Sequence, residues 1–275
     1  MNTATPWPRR VLNTVTLHPM FTRVTARFFY PLLTRAARKD DVLFLNFGYE
    51  EDPPMGVALS ESDEADRYLI QLYHRTAGQA DLRDKRVLEV SCGHGGGASY
   101  LMRTLQPASY TGTDLNAAGI EFCRDRHRLP GLTFVQADAV CLPFGDEEFD
   151  IVVNVEASHC YSDLMQFLTE VHRVLRPGGY FLYTDLRRRD DIDAWQSALA
   201  GSPLREVSST TINEEVRRGL ELNWPSLLSR IQDRLPPLEI LHRMAASVAG
   251  GPGSMTYNNL ESGEYAYRLY SFVKD

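Results

Sequence analysis

From Arg86 onward the chain alternates short apolar runs with helical stretches, and this alternation constrains the fold more than any other feature. Residues 86–90, 109–114, 132–137, 149–155 and 180–185 read as strands, with helices at 97–105, 117–128 and 164–175 between them. Strands joined by helical crossovers pair in parallel and need both faces covered. The expected core is therefore α/β, a doubly wound Rossmann-like sheet, and its ligands should lie at the carboxyl ends of the strands.

Around this core, a helix is expected at 63–77, with acidic residues in its first turn to suit the dipole. Helices follow at 193–199, 212–220 and 225–235, the last opening on Pro225 as first turns allow. They form a helical cap at 192–238. Residues 250–263, rich in Gly, Asn and Ser, read as a loop, and 265–273 alternates as a closing strand. The expected organisation is a basic, apolar arm and lid over 1–60, then one domain over 61–275 that carries the cap.

With 275 residues, 43% of them hydrophobic and 24% charged, the chain can bury a sizeable core. No apolar run approaches the roughly 18 residues of a spanning helix. The first residues also lack the continuous apolar stretch of a secretory signal, so the expected location is the cytoplasm. Cys92, Cys123, Cys141 and Cys160 have no ligand spacing, and reduced, buried thiols without metal are expected. The net charge of -7 is uneven. Residues before Asp40 carry +7, which leaves -14 on the rest. Nucleic acid is a poor partner for such a body, whereas a basic arm suits an anionic membrane surface or an amphiphilic substrate. Phe28, Phe29 and Tyr30 would meet an acyl chain or bilayer there, or else pack on the core.

The strongest local signal is Val87-Leu88-Glu89-Val90-Ser91-Cys92-Gly93-His94-Gly95-Gly96-Gly97, a strand entering a glycine-rich turn and then a helix. Glycine permits backbone conformations closed to other residues and brings main chain against a ligand. Gly93-x-Gly95-x-x-Ala98 also satisfies a relaxed dinucleotide fingerprint, and Asp114 can accept two hydrogen bonds from ribose hydroxyls in either case. Asp138 ends the third strand, where its carboxylate can meet an adenine amino group. Glu89 would set a negative charge beside a pyrophosphate, but suits an ammonium. S-adenosylmethionine, a cation without phosphate, fits better than NAD or FAD.

Together the segments from Glu89 to Asp185 resemble the class I S-adenosylmethionine-dependent methyltransferases. That resemblance implies seven strands with the last antiparallel, an N-terminal helical lid and a C-terminal helical cap. It places Glu89, Gly93 and Gly95 at the methionine part, Asp114 with Leu115 at the ribose, and Asp138 with Ala139 at the adenine. Ser91 stands where the family's turn has glycine. Asn46-Phe47-Gly48-Tyr49-Glu50-Glu51, Leu72-Tyr73-His74-Arg75 and Val155-Glu156-Ala157-Ser158-His159-Cys160-Tyr161 are similar to the mycobacterial phthiotriol/phenolphthiotriol dimycocerosates methyltransferases and their relatives that methylate fatty acids or glycolipids. This implies methyl transfer to oxygen on a long-chain lipid.

A hydroxyl acceptor must lose a proton, and histidine titrates in the right range. His159, just beyond the fourth strand, is the expected general base. Glu156 either orients it, contacts the acceptor, or bonds an arginine or backbone amide. Tyr49 reads as part of a lid over the cofactor or of an exposed acidic loop. His94 packs near the cofactor; His18, His127 and His172 read as arm or helix surface. A non-catalytic lipid carrier and a carbon methyltransferase acting on a quinone ring or alkene remain the rival readings.

Overall fold

The computed structural model describes residues 42–234 and 250–275. Seven strands form one sheet: β1 (Arg86–Val90), β2 (Ser109–Asp114), β3 (Leu132–Gln136), β4 (Phe149–Val155), β5 (Leu175–Arg188), β6 (Arg205–Thr211) and β7 (Tyr265–Val273). Their order is β3-β2-β1-β4-β5-β7-β6. The first five pair in parallel, while β7 runs antiparallel to both β5 and β6. β1 and β4 are therefore neighbours although two strands separate them in the chain. The order reverses between them, and that reversal opens a crevice at their carboxyl ends.

The helices are α1 (Arg67–Ala77), α2 (Gly96–Leu105), α3 (Ala117–Arg126), α4 (Leu164–Val174), α5 (Ile192–Ala200), α6 (Asn213–Arg234) and α7 (Met255–Glu261). They divide between two apolar layers. One packs Ile70, Leu72 and Tyr73 of α1, Leu101 of α2 and Ile120 of α3 on the sheet with Tyr267. The other packs Phe167, Leu168 and Val171 of α4 and Trp195 of α5 against Phe181, Tyr183 and Tyr270. Central β1 is buried from Val87 to Val90, as a strand covered on both faces must be, whereas β6 at the edge is exposed throughout. α4 begins where Asp163 accepts the amide of Gln166 at 2.9 Å, a capping bond that satisfies one orphan donor of the first turn.

Several expectations need correction. Residues 212–220 and 225–235 are not two helices: within the described residues α6 is continuous and carries Pro225 in its interior. A proline there forfeits one backbone bond. Packing on both sides holds the two halves together. Gly219 lies against the backbone of Tyr49, and the Trp224 ring occupies the space beside Gly251. The 250–263 loop contains α7, capped by Ser254, which accepts from Tyr257 at 3.2 Å, and anchored by buried Leu260. The cap region also includes β6, whose Arg-Glu-Val-Ser-Ser-Thr-Thr sequence gives no apolar alternation because an edge strand buries neither face. The 63–77 helix starts as a 3-10 turn over Glu64–Asp66. The aromatic arm and His18 lie outside the described residues, as do 1–41 of the arm and 235–238 of the cap.

Candidate active site

The turn after β1 takes up unusual backbone angles. Ser91 has φ of 63° and Gly95 of 76°, both left-handed. Gly95 caps α2 in that conformation without strain. Ser91 keeps the angle that glycine would adopt, and its Oγ lies 2.7 Å from the Tyr161 hydroxyl, which also accepts from Asn154 Nδ2 at 2.8 Å. The side chain that replaces glycine is thus tied to the loop after β4.

Beside this turn are the acids expected to face a nucleoside. Asp114, the last residue of β2, accepts the Gly93 amide at 3.0 Å and the Asn116 amide at 2.9 Å. Burial pushes its carboxyl up to about 6 against the pull of those amides. Glu89 is wholly buried; one oxygen accepts from the Tyr110 hydroxyl at 2.9 Å, and the Tyr73 hydroxyl also lies against the carboxylate. Its pKa is raised to about 7, chiefly by desolvation. Leu115 is 55% exposed, an uncovered apolar face at the mouth of the crevice. Asp138 is exposed and its Oδ1 accepts the Val140 amide at 3.1 Å, while Ala139 turns its methyl into the second apolar layer.

On the other side of the crevice His159 meets Asp185, a residue of β5 that sequence reading had not singled out. His159 Nδ1 donates to Asp185 Oδ1 at 2.8 Å, and the imidazole is 31% exposed while Asp185 is fully buried. Asp185 also accepts from Ser158 Oγ at 2.6 Å, His159 N at 3.0 Å and Leu186 N at 2.8 Å. Arg187 forms an ion pair with its second oxygen at 3.1 Å. Burial would favour the neutral acid, but Arg187 and His159 hold the carboxyl well below its usual range. Burial likewise favours neutral imidazole, yet the Asp185 charge prevails and His159 sits well above the usual histidine value. In the strand as read from sequence, 180–185, Asp185 is the closing acid, the signal that also picked out Asp114; in the structure β5 runs on to Arg188.

Glu156 does not hydrogen-bond His159 among the described residues. It is held at φ of 52°, and its Oε2 accepts from the Phe47 amide at 2.9 Å and the Tyr267 hydroxyl at 2.6 Å. Desolvation raises it to about 7. Through Phe47 it fastens residues 42–48, which cross the glycine turn. His94 Nδ1 lies 2.7 Å from Val42 O, Gly96 N donates to Leu43 O at 3.2 Å, and the Leu45 side chain covers Gly93. The strap is thus 42–47, with Val42, Leu43 and Leu45 against the turn and Phe47 as its anchor. Tyr49 is neither over the turn nor in an exposed loop. It is buried, with its carbonyl accepting from Gln71 at 2.7 Å and its hydroxyl donating to Glu51 at 3.0 Å. His127 is not a surface residue either, since it is buried with Nε2 2.8 Å from the His94 carbonyl. Cys92 and Cys123 are buried free thiols, but Cys141 is exposed. Among the described residues no group of three or more His, Cys, Asp or Glu side chains is arranged to hold a metal, and no helix is long and apolar enough to cross a membrane.

Residues 88–183 match the family described as methyltransferase domain, a span that includes the glycine turn, Asp114, Asp138 and His159. The phthiotriol/phenolphthiotriol dimycocerosates methyltransferase of Mycobacterium tuberculosis is 55% identical over 249 residues, covering 90% of this chain and 92% of that protein. The chain belongs to this methyltransferase family. The fatty-acid O-methyltransferase of Mycolicibacterium smegmatis is 58% identical over 245 residues, 89% of this chain and 88% of its own. In fold, a putative sarcosine dimethylglycine methyltransferase from Galdieria sulphuraria superposes with a TM-score of 0.68 at 14% identity, over 90% of this chain and 98% of that one. The protein is therefore an S-adenosylmethionine-dependent methyltransferase on a class I Rossmann-like sheet. The crevice suits that donor. Glu89, a buried carboxylate just before the glycine turn, is a poor neighbour for a pyrophosphate, while Asp114 ends β2 and Asp138 lies just beyond the adjacent β3.

Proposed function

We propose that this methyltransferase O-methylates a hydroxyl group on a long-chain lipid, with His159 as general base. The observation that carries the reading is the 2.8 Å bond from His159 Nδ1 to buried Asp185. An ionised carboxylate only accepts, so the proton is fixed on Nδ1 and Nε2 keeps its lone pair whenever the imidazole is neutral. Asp185 in turn is oriented by Ser158, Leu186 and Arg187. The cofactor supplies a methyl group on a positively charged sulfur. What the chain contributes is placement: Asp114 and Asp138 receive the nucleoside, Glu89, Ser91, Gly93 and Gly95 the methionine end, and the 42–47 strap shields the turn from water. Positioning of this kind supplies much of the rate in a displacement. Phthiotriol dimycocerosates and fatty acids, named for its relatives, set the lipid class. An imidazole backed by a buried carboxylate favours an oxygen acceptor over a quinone or alkene carbon.

One observation favours a second acceptor. The Asp185 charge that holds His159 above its usual pKa favours the protonated imidazole, a cation suited to steadying a fatty-acid carboxylate, which needs no base. The pH dependence separates the two. With a hydroxyl acceptor, kcat/KM climbs as pH rises through the His159 titration; with a carboxylate it falls. His159→Ala should cost roughly 100-fold or more in turnover on a long-chain alcohol. Near-normal turnover with cofactor still bound would remove the base.

We further assign residues 1–60 to an arm and lid and 61–275 to the catalytic domain, with 192–238 as its cap. In this reading the protein is cytoplasmic, its basic arm meets an anionic inner membrane face, and nucleic acid is no partner.

A further inference from the structure

The guanidinium of Arg187 is an unusual neighbour for a histidine base. Its side chain is only 11% exposed and lies against the crevice network, with Cζ 4.7 Å from the centre of the Trp195 ring. Nη2 donates to Ser158 Oγ at 2.8 Å, Nη1 to the Leu186 carbonyl at 2.7 Å, and Nη1 pairs with Asp185 Oδ2 at 3.1 Å. Trp195 is itself fixed, since its Nε1 donates to the Tyr183 hydroxyl at 3.0 Å, and that hydroxyl lies 2.5 Å from Ser158 Oγ. Every polar direction of the guanidinium named here is turned inward, so it is committed to the network and not to an anionic acceptor.

Asp185 thus divides its two oxygens between two bases. Oδ1 faces the imidazole and Oδ2 faces Arg187. A buried carboxylate facing a histidine alone would hold the imidazole as a cation, because opposite charges within about 4–6 Å stabilise each other strongly away from water. A permanent guanidinium on the second oxygen competes for the same negative charge and also repels a proton on the imidazole. The other groups facing His159 are Cys160 beside it, Glu156 on the loop after β4, and Tyr183 behind Asp185 on β5. None of these carries a fixed positive charge.

We propose that Arg187 is a positioning residue for the methyl transfer: by sharing the Asp185 carboxylate it limits the hold of that anion on His159 and keeps the imidazole able to give up its proton. This rests on His159 being the base, but the effect on the imidazole is measurable without turnover. Arg187→Met removes the charge while filling similar space, and Arg187→Lys keeps the charge while losing the planar fork. The His159 titration is followed by NMR of the imidazole in the full chain, alongside pH profiles of kcat/KM on a long-chain alcohol.

In Arg187→Met the imidazole should titrate about one unit or more higher than in the parent, and the acid limb of kcat/KM should move upward with it. Arg187→Lys should recover at least half of that shift. An unchanged His159 titration in Arg187→Met overturns the proposal, whatever happens to activity. If the imidazole shifts but the acid limb stays in place, the Arg187 effect stands and His159 is no longer the base. Should Arg187→Met fail to fold, Arg187→Gln takes its place: it also removes the charge, the imidazole should again titrate about one unit or more higher, and an unchanged His159 titration overturns the proposal.

Discussion

Asp185→Asn is the sharpest perturbation of the reasoning about the base. Asp185 accepts from Ser158 Oγ, His159 N, His159 Nδ1 and Leu186 N and pairs with Arg187. An amide can keep one oxygen toward the imidazole and Leu186, but its NH2 then confronts His159 N and the guanidinium, both donors. Arg187, only 11% exposed, is left without its anion. Breaking a buried pair on one side costs about 3–5 kcal/mol. For chains of this size that corresponds to a Tm drop of roughly 6–20 °C at about 2–4 °C per kcal/mol. With the amide reversed, the Nδ1 proton loses its acceptor and Nε2 ceases to be a dependable base, so kcat on a long-chain alcohol should fall by about 100-fold or more.

The pH signature works in the same direction. Asp185 has a depressed folded pKa, so its contribution is present above the unfolded value near 4 and is lost as pH falls toward the folded one. His159 has a raised folded pKa, so its contribution is complete below about 6.5 and fades as pH rises through the folded value. The pair therefore stabilises most between about pH 4 and 6.5. Urea unfolding across pH 3–9 should show this hump in the parent and lose it in Asp185→Asn. A variant within 1 kcal/mol of the parent, with unaltered turnover, would refute the account of both Asp185 and the base.

Two further outcomes are expected. Glu156→Ala strips the acceptor from the Phe47 amide and the Tyr267 hydroxyl, at about 1–3 kcal/mol for each buried donor left unmet. Because Phe47 belongs to the strap over the glycine turn, calorimetric affinity for S-adenosylhomocysteine should weaken several-fold; unchanged affinity would separate Glu156 from the strap. The full chain should float with vesicles rich in anionic lipid, and removal of residues 1–41 should abolish flotation. If both stay in solution, the arm has no membrane role.

Much of the fold was legible because local pattern and global architecture agreed. In β1, β2 and β4 the apolar runs and their boundaries are fixed by burial on both faces, and the read spans coincide with the observed ones. The start of α4 at Leu164 was also read correctly, and the structure shows Asp163 capping it there. Pro225 misled because a proline's local preference is to open a helix, whereas packing around Gly219 and Trp224 keeps it in the interior of α6. β6 was invisible because pairing with β7, not side-chain alternation, makes it a strand.

The sequence by itself determined the glycine turn after β1, the acid that ends β2, the acid just beyond β3, and the placement of His159 beyond β4. Each is a short-range consequence of strand length and turn chemistry. Only the tertiary structure decided that Asp185, 26 residues beyond His159, backs its imidazole, that Arg187 shares that carboxylate, and that Glu156 anchors Phe47 from 109 residues away. Tyr49, read from sequence as part of a lid or of an exposed acidic loop, packs in the core instead. Partners brought together by parallel strand pairing leave no trace in local periodicity, because the sheet, not the chain, sets which strand ends become neighbours.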